Sequence, residues 1–331
     1  MKFLVTGGFG YIGSHMCKLL TNKGYEVIVI DEVGPTHSYF TYCYNVNIGN
    51  APQIRFILRK HKDIDGVFNF AAHSIVSESE KNPMKYYLNN VNETIVFLNE
   101  LIEAKIKVII SSSTAAVYGN HKDKFDEDDL TQPINTYGKT KLIVEQILRD
   151  LSSKGLIKVG LLRYFNVAGN CPFNSIGENH SPETHIIPKI IQEIISGRNE
   201  VEIYGGDYRT IDGTCVRDYI HVEDLVQAHL LTFSRMVSDK SHKFNIFNVG
   251  NGEGYTNKQV LEMIKDVSEI DFKIKITDRR AGDPECLVAN IDKIKFSSSF
   301  KPKYNLREMV KHTFSYQMEK FNENLNHGIQ S

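Results

Sequence analysis

Three glycines near the start, Gly7-x-x-Gly10-x-x-Gly13, constrain the fold of this chain more than any other feature, because of what flanks them. Residues 2–6, Lys-Phe-Leu-Val-Thr, read as a short buried strand, and Ser14 to Lys23 reads as a helix. Strand, glycine turn and helix in that order open a dinucleotide-binding βαβ unit. Gly7 suits the tight turn, Gly10 lets the backbone approach a pyrophosphate, and Gly13 lets the helix pack closely on the strand. The helix start then faces the phosphates with free N–H groups and a positive dipole end. A second apolar run, Tyr25 to Ile30, ends in Asp31. An acid there binds both hydroxyls of an adenosine ribose and repels a 2′-phosphate, which favours NAD over NADP.

The first half continues this alternation. A helix is expected near 51–61, a strand over 66–72, a long helix from about Pro83 to Ala104, and a strand over 107–114. A helix over about 136–152 and a strand over 158–165 follow. This is the rhythm of an α/β, doubly wound parallel (Rossmann) sheet, whose ligands lie beyond the carboxyl ends of the strands. After about residue 166 the rhythm breaks into a Pro/Gly/Asn/Ser-rich loop, Asn170 to Pro182. Shorter elements come next: a helix near 186–197, strands near 201–204 and 272–276, and a final helix near 305–320, with fraying after Phe321. Asp218 to Val222 is read as opening a helix that returns to the first domain. The expected division is a cofactor domain of residues 1–166 plus about 219–250, and a smaller α/β substrate-binding domain of 167–218 and 251–325.

At 331 residues the chain is long enough for two domains. A net charge of −1 gives no electrostatic case for nucleic-acid or anionic-membrane binding. The strand beginning at residue 2 leaves no room for a signal peptide, and no apolar run is long enough to span a membrane. The five cysteines, Cys17, Cys43, Cys171, Cys215 and Cys286, are odd in number and lack a C-x-x-C pair. They read as thiols in a reducing cytoplasm. The histidines show neither H-x-x-x-H nor H-E-x-x-H, so no metal site is expected.

Tyr137-Gly138-Lys139-Thr140-Lys141 places a phenol and an amine four residues apart on one helical face. A free tyrosine titrates near 10 and is a poor base at neutral pH. Making it useful near pH 7 takes a shift of about 3 units, roughly 4 kcal/mol, whereas one opposite charge supplies ~1–3 units. The ammonium of Lys141 alone is barely enough, and an oxidised nicotinamide is a second cation.

Together these segments resemble the extended short-chain dehydrogenase/reductase superfamily and, within it, the UDP-glucose 4-epimerase family. The likeness covers nearly the whole chain. It rests on Thr6 to His15, Phe70-Ala71-Ala72, Tyr86 to Asn92, Ser112 to Gly119, Tyr137 to Lys141, Leu162 to Asn166, Asp212 to Val222 and Arg279 to Asp283. The resemblance implies an NAD-dependent enzyme that inverts C4 of a UDP-hexose through a transient 4-keto sugar. Tyr137 would be the base, Lys141 would bind the nicotinamide ribose, and Thr114 would hydrogen-bond the sugar O4. Tyr11 and Ile12 would present N–H groups to the pyrophosphate, with Asp31 on the adenosine ribose and Asn47 and Ile48 beside the adenine. Phe70, Ala71, Asn89 and Phe165 would border the nicotinamide half. Asn166, His185, Tyr204, Arg217, Arg280 and Asp283 would hold UDP, the arginines by paired N–H groups on phosphate. Leu287, four positions past Asp283, would border the sugar C2 substituent; a leucine there leaves more room than a tyrosine, enough for an N-acetyl group.

Three departures from the family pattern stand out. The stretch from Asp31 to Asn47 is short, so a helix after the second strand is lost or reduced. Asn47 replaces the usual aspartate, and Ser74, in Ala71-Ala72-His73-Ser74, lies where many members carry a lysine. A related 4,6-dehydratase carries Asp-Glu after the threonine, and here the pair is Ala115-Ala116. A non-catalytic nucleotide sensor on the same fold usually loses the tyrosine or the lysine, and this chain keeps both. The helix near 83–104 carries Val91, Ile95, Val96, Phe97, Leu98, Leu101 and Ile102, and the helix of Tyr137 carries Leu142, Ile143, Val144, Ile147, Leu148 and Leu151. Such bands imply a four-helix interface in a homodimer, as in the family.

Overall fold

The computed structural model describes residues 1–173, 176–180, 182–239, 241, 243–280 and 282–328. Its main sheet has seven strands in the order Phe244–Val249, Lys158–Tyr164, Val108–Thr114, Gly66–Asn69, Lys2–Thr6, Glu26–Asp31, Tyr42–Asn45. Every neighbouring pair runs parallel. The chain moves outward from Lys2–Thr6 to one edge, then returns to the other side at Gly66–Asn69. That reversal leaves a crevice at the carboxyl ends of these two strands, where Gly7 and Phe70 lie. Both faces of the sheet are covered. Phe3, Val5, Val27, Val29, Phe68 and Ile110 point to one core, and Leu4, Ile28, Ile30, Val67 and Ile109 point to the other. The period-2 alternation therefore separates two apolar sets within strands that read as continuous hydrophobic runs.

A second region covers the carboxyl end of this sheet. Strand Val216–His221 lies beside Gly254–Thr256, Cys286–Ala289 and Asn166–Ala168, and Lys124–Phe125 pairs with Cys286–Ala289. Strands Glu200–Tyr204 and Lys273–Thr277 form a separate parallel pair. A third core, including Ile190, Ile191, Ile194, Val260, Leu261, Met309 and Val310, joins helices Ile186–Ile195, Asn257–Ser268 and Leu306–Gly328. Among the described residues no helix is long and apolar enough to cross a membrane.

The observed elements differ from the expected ones at three places. Asp218 to His221 is strand, and the helix Val222–Ser238 begins only after His221, whose Nδ1 accepts the Glu223 N–H at 3.0 Å. The Asp218 carboxylate is drawn inward to accept N–H groups from Asn251, Gly252 and Ala289 at 2.7, 2.9 and 3.1 Å. The single long helix expected over 83–104 is instead a short turn Pro83–Tyr86, a π-helical stretch Tyr87–Glu93 and a helix Thr94–Glu103. The wider π turn aims Asn89 and Asn90 together at the His73 N–H, at 3.1 and 2.8 Å. The last helix runs on to Gly328 rather than fraying after Phe321; Met309, Val310, Tyr316 and Gln317 bury its first part. Between Glu26–Asp31 and Tyr42–Asn45 there is no helix.

Candidate active site

The glycine turn is fixed by backbone contact. Gly7 has φ +65°, and a Cβ there would lie 2.9 Å from the Ala71 nitrogen. A Cβ on Gly13 would lie 2.0 Å from the Gly7 oxygen, so any side chain would drive the helix off the strand. Helix Tyr11–Asn22 has Gly10 at its N-cap, no side-chain cap and no acid in its first turn. Its first N–H groups are left for an anion. Asp31 closes the second strand, with its carboxylate accepting N–H groups from Phe9 at 2.9 Å and Val33 at 3.0 Å. The Asn47 amide is tied to Glu32 and to the Gly49 N–H, and Ile48 is buried beneath it.

Tyr137 and Lys141 rise from the N-terminal turns of helix Thr136–Ser153, which Asn135 caps by accepting the Gly138 N–H at 2.8 Å. Thr114 ends strand Val108–Thr114 and lines the same cavity as the Tyr137 phenol, with its Oγ1 accepting the Ala116 N–H at 3.1 Å. Burial pushes the phenol up to about 12, with the nearby Thr114 hydroxyl pulling the other way. Burial likewise pushes the Lys141 amine down to about 8, against the pull of Glu145. The amine donates to Ser112 Oγ at 3.0 Å. The depressed phenol expected from the lysine is therefore not what the chain presents: burial is the largest influence on it.

Glu145, one further turn along, anchors this helix to the sheet. It takes a two-point contact from Arg163, Nε to Oε1 at 2.9 Å and Nη2 to Oε2 at 2.7 Å, and a hydrogen bond from Ser113. Arg163 also donates to the Tyr118 hydroxyl and the Glu127 carbonyl. Asn90 ties the same helix to the 71–74 segment, donating to Thr140 Oγ1 and the His73 carbonyl, both at 3.0 Å. Ser112, Asn90 and Arg163 lie in segments that carry the resemblance, yet neither they nor Glu145 had a role assigned from sequence; their roles come from register between distant elements.

One cavity gathers most of the sequence-derived candidates. Gly7, Gly10, Tyr11, Ile12, Gly13, Phe70, Thr114, Tyr137, Lys141 and Phe165 line the sheet side. Asn166, His185, Tyr204, Arg217, Arg280, Asp283 and Leu287 line the other side. Ala72 and Ser74 also face it, in the segment where a lysine is usual. Asp31, Asn47, Ile48, Ala71 and Asn89 are not among its lining; Asn89 is committed to the His73 N–H and to Glu93. On the far wall the Arg280 guanidinium lies over the Tyr204 ring at 4.4 Å, and Arg217 lies 3.8 Å from Asp283. Leu287 is buried on strand Cys286–Ala289, in register with Arg217. Sequence reading missed the carboxylates beside His185: Glu178 and Glu183, with His180, cluster around its ring. The spacing Glu178-x-His180-x-x-Glu183-x-His185 was the available signal.

Residues 3–250 match the NAD dependent epimerase/dehydratase family. The UDP-glucose 4-epimerase of Lactobacillus helveticus is 44% identical over 309 residues, covering 92% of this chain and 93% of that one. The UDP-glucose 4-epimerase of Bifidobacterium longum, solved in complex with NAD+ and UDP, superposes with a TM-score of 0.90 at 31% identity, covering 97% of this chain and 99% of that one. The UDP-Glc/GlcNAc 4-epimerase of Campylobacter jejuni superposes with a TM-score of 0.81 at 36% identity, covering 96% and 99%. With the parallel sheet, the glycine turn and the Tyr137–Lys141 helix already in place, these likenesses show that the chain belongs to the NAD dependent epimerase/dehydratase family, among its UDP-glucose 4-epimerases.

Proposed function

We propose that this chain interconverts UDP-glucose and UDP-galactose by inverting sugar C4 through a transient 4-keto sugar, with NAD as its cofactor and Tyr137 as the base. The observation that carries this reading is that Tyr137, Thr114 and Lys141 open into the same cavity as Arg217, Arg280 and Asp283. Residues 1–166 with about 219–250 carry the dinucleotide, and 167–218 with 251–325 carry the nucleotide sugar. The cradle made by Gly7 and Gly13 and the uncapped first turn of Tyr11–Asn22 suit a pyrophosphate, and the buried amine of Lys141 suits a ribose hydroxyl. NAD, when bound, supplies a reversible hydride acceptor and a positive charge near the phenol. Tyr137 takes the proton of the 4-hydroxyl and later returns it, while Thr114 holds the oxygen between them. A phenol near 12 needs added positive charge to ionise at neutral pH, which makes proton removal depend on a loaded site. Arg217 and Arg280 grip the diphosphate, so the keto sugar can turn over without leaving. Ala115 and Ala116 supply neither acid nor base for loss of water.

The test is incubation with UDP-galactose and no added cofactor. The parent is expected to form UDP-glucose, and Tyr137→Phe to lose at least about 100-fold in turnover while keeping its NAD. Near-normal turnover by the variant would remove Tyr137 as base; an inactive, NAD-loaded parent would remove the reaction.

A second reading, activity on UDP-N-acetylglucosamine as well, rests on the leucine at 287 in the cavity wall and on the UDP-Glc/GlcNAc enzyme among the structural neighbours. Leu287→Tyr should then lower kcat/KM for the acetylated sugar selectively, since overfilling a packed site costs about 1–3 kcal/mol. The protein is a homodimer in this proposal. Leu88 and Ile95 are exposed, and Val91, Ile102, Ile143, Ile147 and Leu151 are only partly covered, on the helical segments Tyr87–Glu93, Thr94–Glu103 and Thr136–Ser153. A monomer mass by light scattering at micromolar concentration would refute that association.

A further inference from the structure

Four described residues just ahead of helix Ile186–Ile195, Glu178, His180, Glu183 and His185, bring two imidazoles and two carboxylates to one point. Glu178 Oε1 lies 3.2 Å from His180 Nδ1 and 2.5 Å from His185 Nδ1. Glu183 lies 3.5 Å from each ring, through Oε2 toward His180 and Oε1 toward His185. One ligand atom from each of the four residues lies within 4.8 Å of all the others. We propose that Glu178, His180, Glu183 and His185 form a four-coordinate, zinc-type site that clamps this segment against the cavity.

Geometry supports an ion. A tetrahedral centre with bonds of about 2.0–2.1 Å holds its ligand atoms about 3.3 Å apart. The His180 ring already stands at about that separation from one oxygen of each carboxylate, 3.2 Å from Glu178 Oε1 and 3.5 Å from Glu183 Oε2. The Glu178–His185 contact must open, by a side-chain adjustment at an exposed ring.

Hydrogen bonding supports it independently. The Glu183 side chain is 3% exposed, and its Oε2 is buried without a hydrogen bond. His180 Nδ1 is in the same state, although the two atoms face each other. The other Glu183 oxygen is held in place by the N–H groups of Thr184 and His185, at 2.7 and 2.8 Å. That is the way a ligating carboxylate is oriented by its surroundings. The alternative occupant is a pair of protons, giving two imidazolium–carboxylate pairs. It would have to aim the His180 Nδ1–H at Glu178 or Glu183, whose oxygens lie 3.2 and 3.5 Å away, and neither contact has the geometry of a hydrogen bond.

The donor set selects the ion. Two carboxylates and two neutral imidazoles balance a divalent charge. Nitrogen and oxygen ligands in equal number, in a small four-point site, suit zinc or cobalt rather than the larger oxygen cages of calcium or the octahedra of magnesium. The site touches the cavity wall: His180 packs edge-on to Tyr11 at 6.3 Å, and His180, Thr184 and His185 all line the cavity. A metal there would tie the segment that follows the main sheet to the first turn of the second region's helix. It also gives His185 a task other than holding UDP.

The experiment uses the full-length protein, stripped with a chelator and titrated with zinc or cobalt alone. Expected are one metal per chain by elemental analysis after desalting, and a cobalt form with the strong visible bands of four-coordinate nitrogen/oxygen ligation. His180→Ala and Glu183→Gln should each weaken binding at least about 10-fold with an unchanged circular dichroism spectrum. The cobalt spectrum of the parent reads the ligands directly, so the test stands even if a variant misfolds. Retention of no metal by the parent, a sulfur-to-cobalt charge-transfer band from the cysteines, or unchanged affinity in both folded variants would overturn the proposal.

Discussion

The two walls of the cavity are built on different principles. The sheet side is fixed by backbone and buried charge: a Cβ on Gly13 meets the Gly7 oxygen at 2.0 Å, and the helix of Tyr137 is locked down by a two-point Arg163–Glu145 contact with both side chains under 5% exposed. The far side is built from long side chains that partner one another, Arg280 over Tyr204 and Arg217 near Asp283, on short strands and loops. Under the proposed function the difference separates tasks. A wall that holds one cofactor through every turnover gains from rigidity, and a wall that releases a product gains from contacts that can be exchanged. Damage to the first should therefore appear as lost stability and lost cofactor, and damage to the second as raised KM.

The largest effect is expected at Arg163. Arg163→Met leaves Glu145 buried without its cation, which typically costs about 3–5 kcal/mol, measurable by urea denaturation. A loss under about 1 kcal/mol would mean that the sheet-side wall is not held by this pair. Next is Gly13→Ala, expected to cost up to about 3 kcal/mol as the helix is displaced, with purified protein depleted of NAD by absorbance after acid release. Retention of a full complement of NAD would break the argument for a rigid cradle. On the far wall, Arg280→Met should raise KM for UDP-galactose about 10–100-fold, the value of a charge-assisted contact of about 1.5–3 kcal/mol, with the melting temperature nearly unchanged. A fall in stability of the same size would erase the distinction between the walls.

The smallest effect concerns pH. Lys141 titrates near 8 in the fold and near 10.5 when unfolded. Between those values the unfolded chain binds more protons than the folded one, so the stability of the cofactor-free protein rises with pH. The slope from this group is at most about 1.4 kcal/mol per pH unit, absent below about pH 7, where both states are protonated. Lys141→Met should flatten that rise relative to the parent. An identical slope in the two proteins would show that the amine is not held in a desolvating site.

What was legible in the sequence divides along the same line. The glycine turn could be read because its spacing answers to local sterics, and Tyr137 with Lys141 because four residues make one helical turn. Asp218 to His221, expected to open a helix, is the end of strand Val216–His221; the role of Asp218 as a buried acceptor for three N–H groups depends on chain segments that arrive later. The π-helical stretch Tyr87–Glu93 was hidden because its apolar positions also fit an α-helix, and only the amides of Asn89 and Asn90 report the wider turn. Ser112 sits in a recognisable segment, but its place under Lys141 could not be read there, and the Glu178 cluster beside the cavity belongs to no local pattern beyond a few shared residue types. Their meaning appears only when a strand end meets a helix or a loop closes on itself.

The order of strands in the main sheet has a consequence for biosynthesis. Lys158–Tyr164 receives its outer neighbour, Phe244–Val249, only after residues 165–243 have been made. At about 5–20 residues per second, the nascent chain carries an unpaired hydrophobic edge for several seconds. During that interval Leu161 and Leu162 form the border of an incomplete sheet, and helix Val222–Ser238 emerges before the strand that closes it. A ribosome-bound chain stalled just short of residue 244 should thus bind holding chaperones far more strongly than one stalled after residue 250 has cleared the exit tunnel.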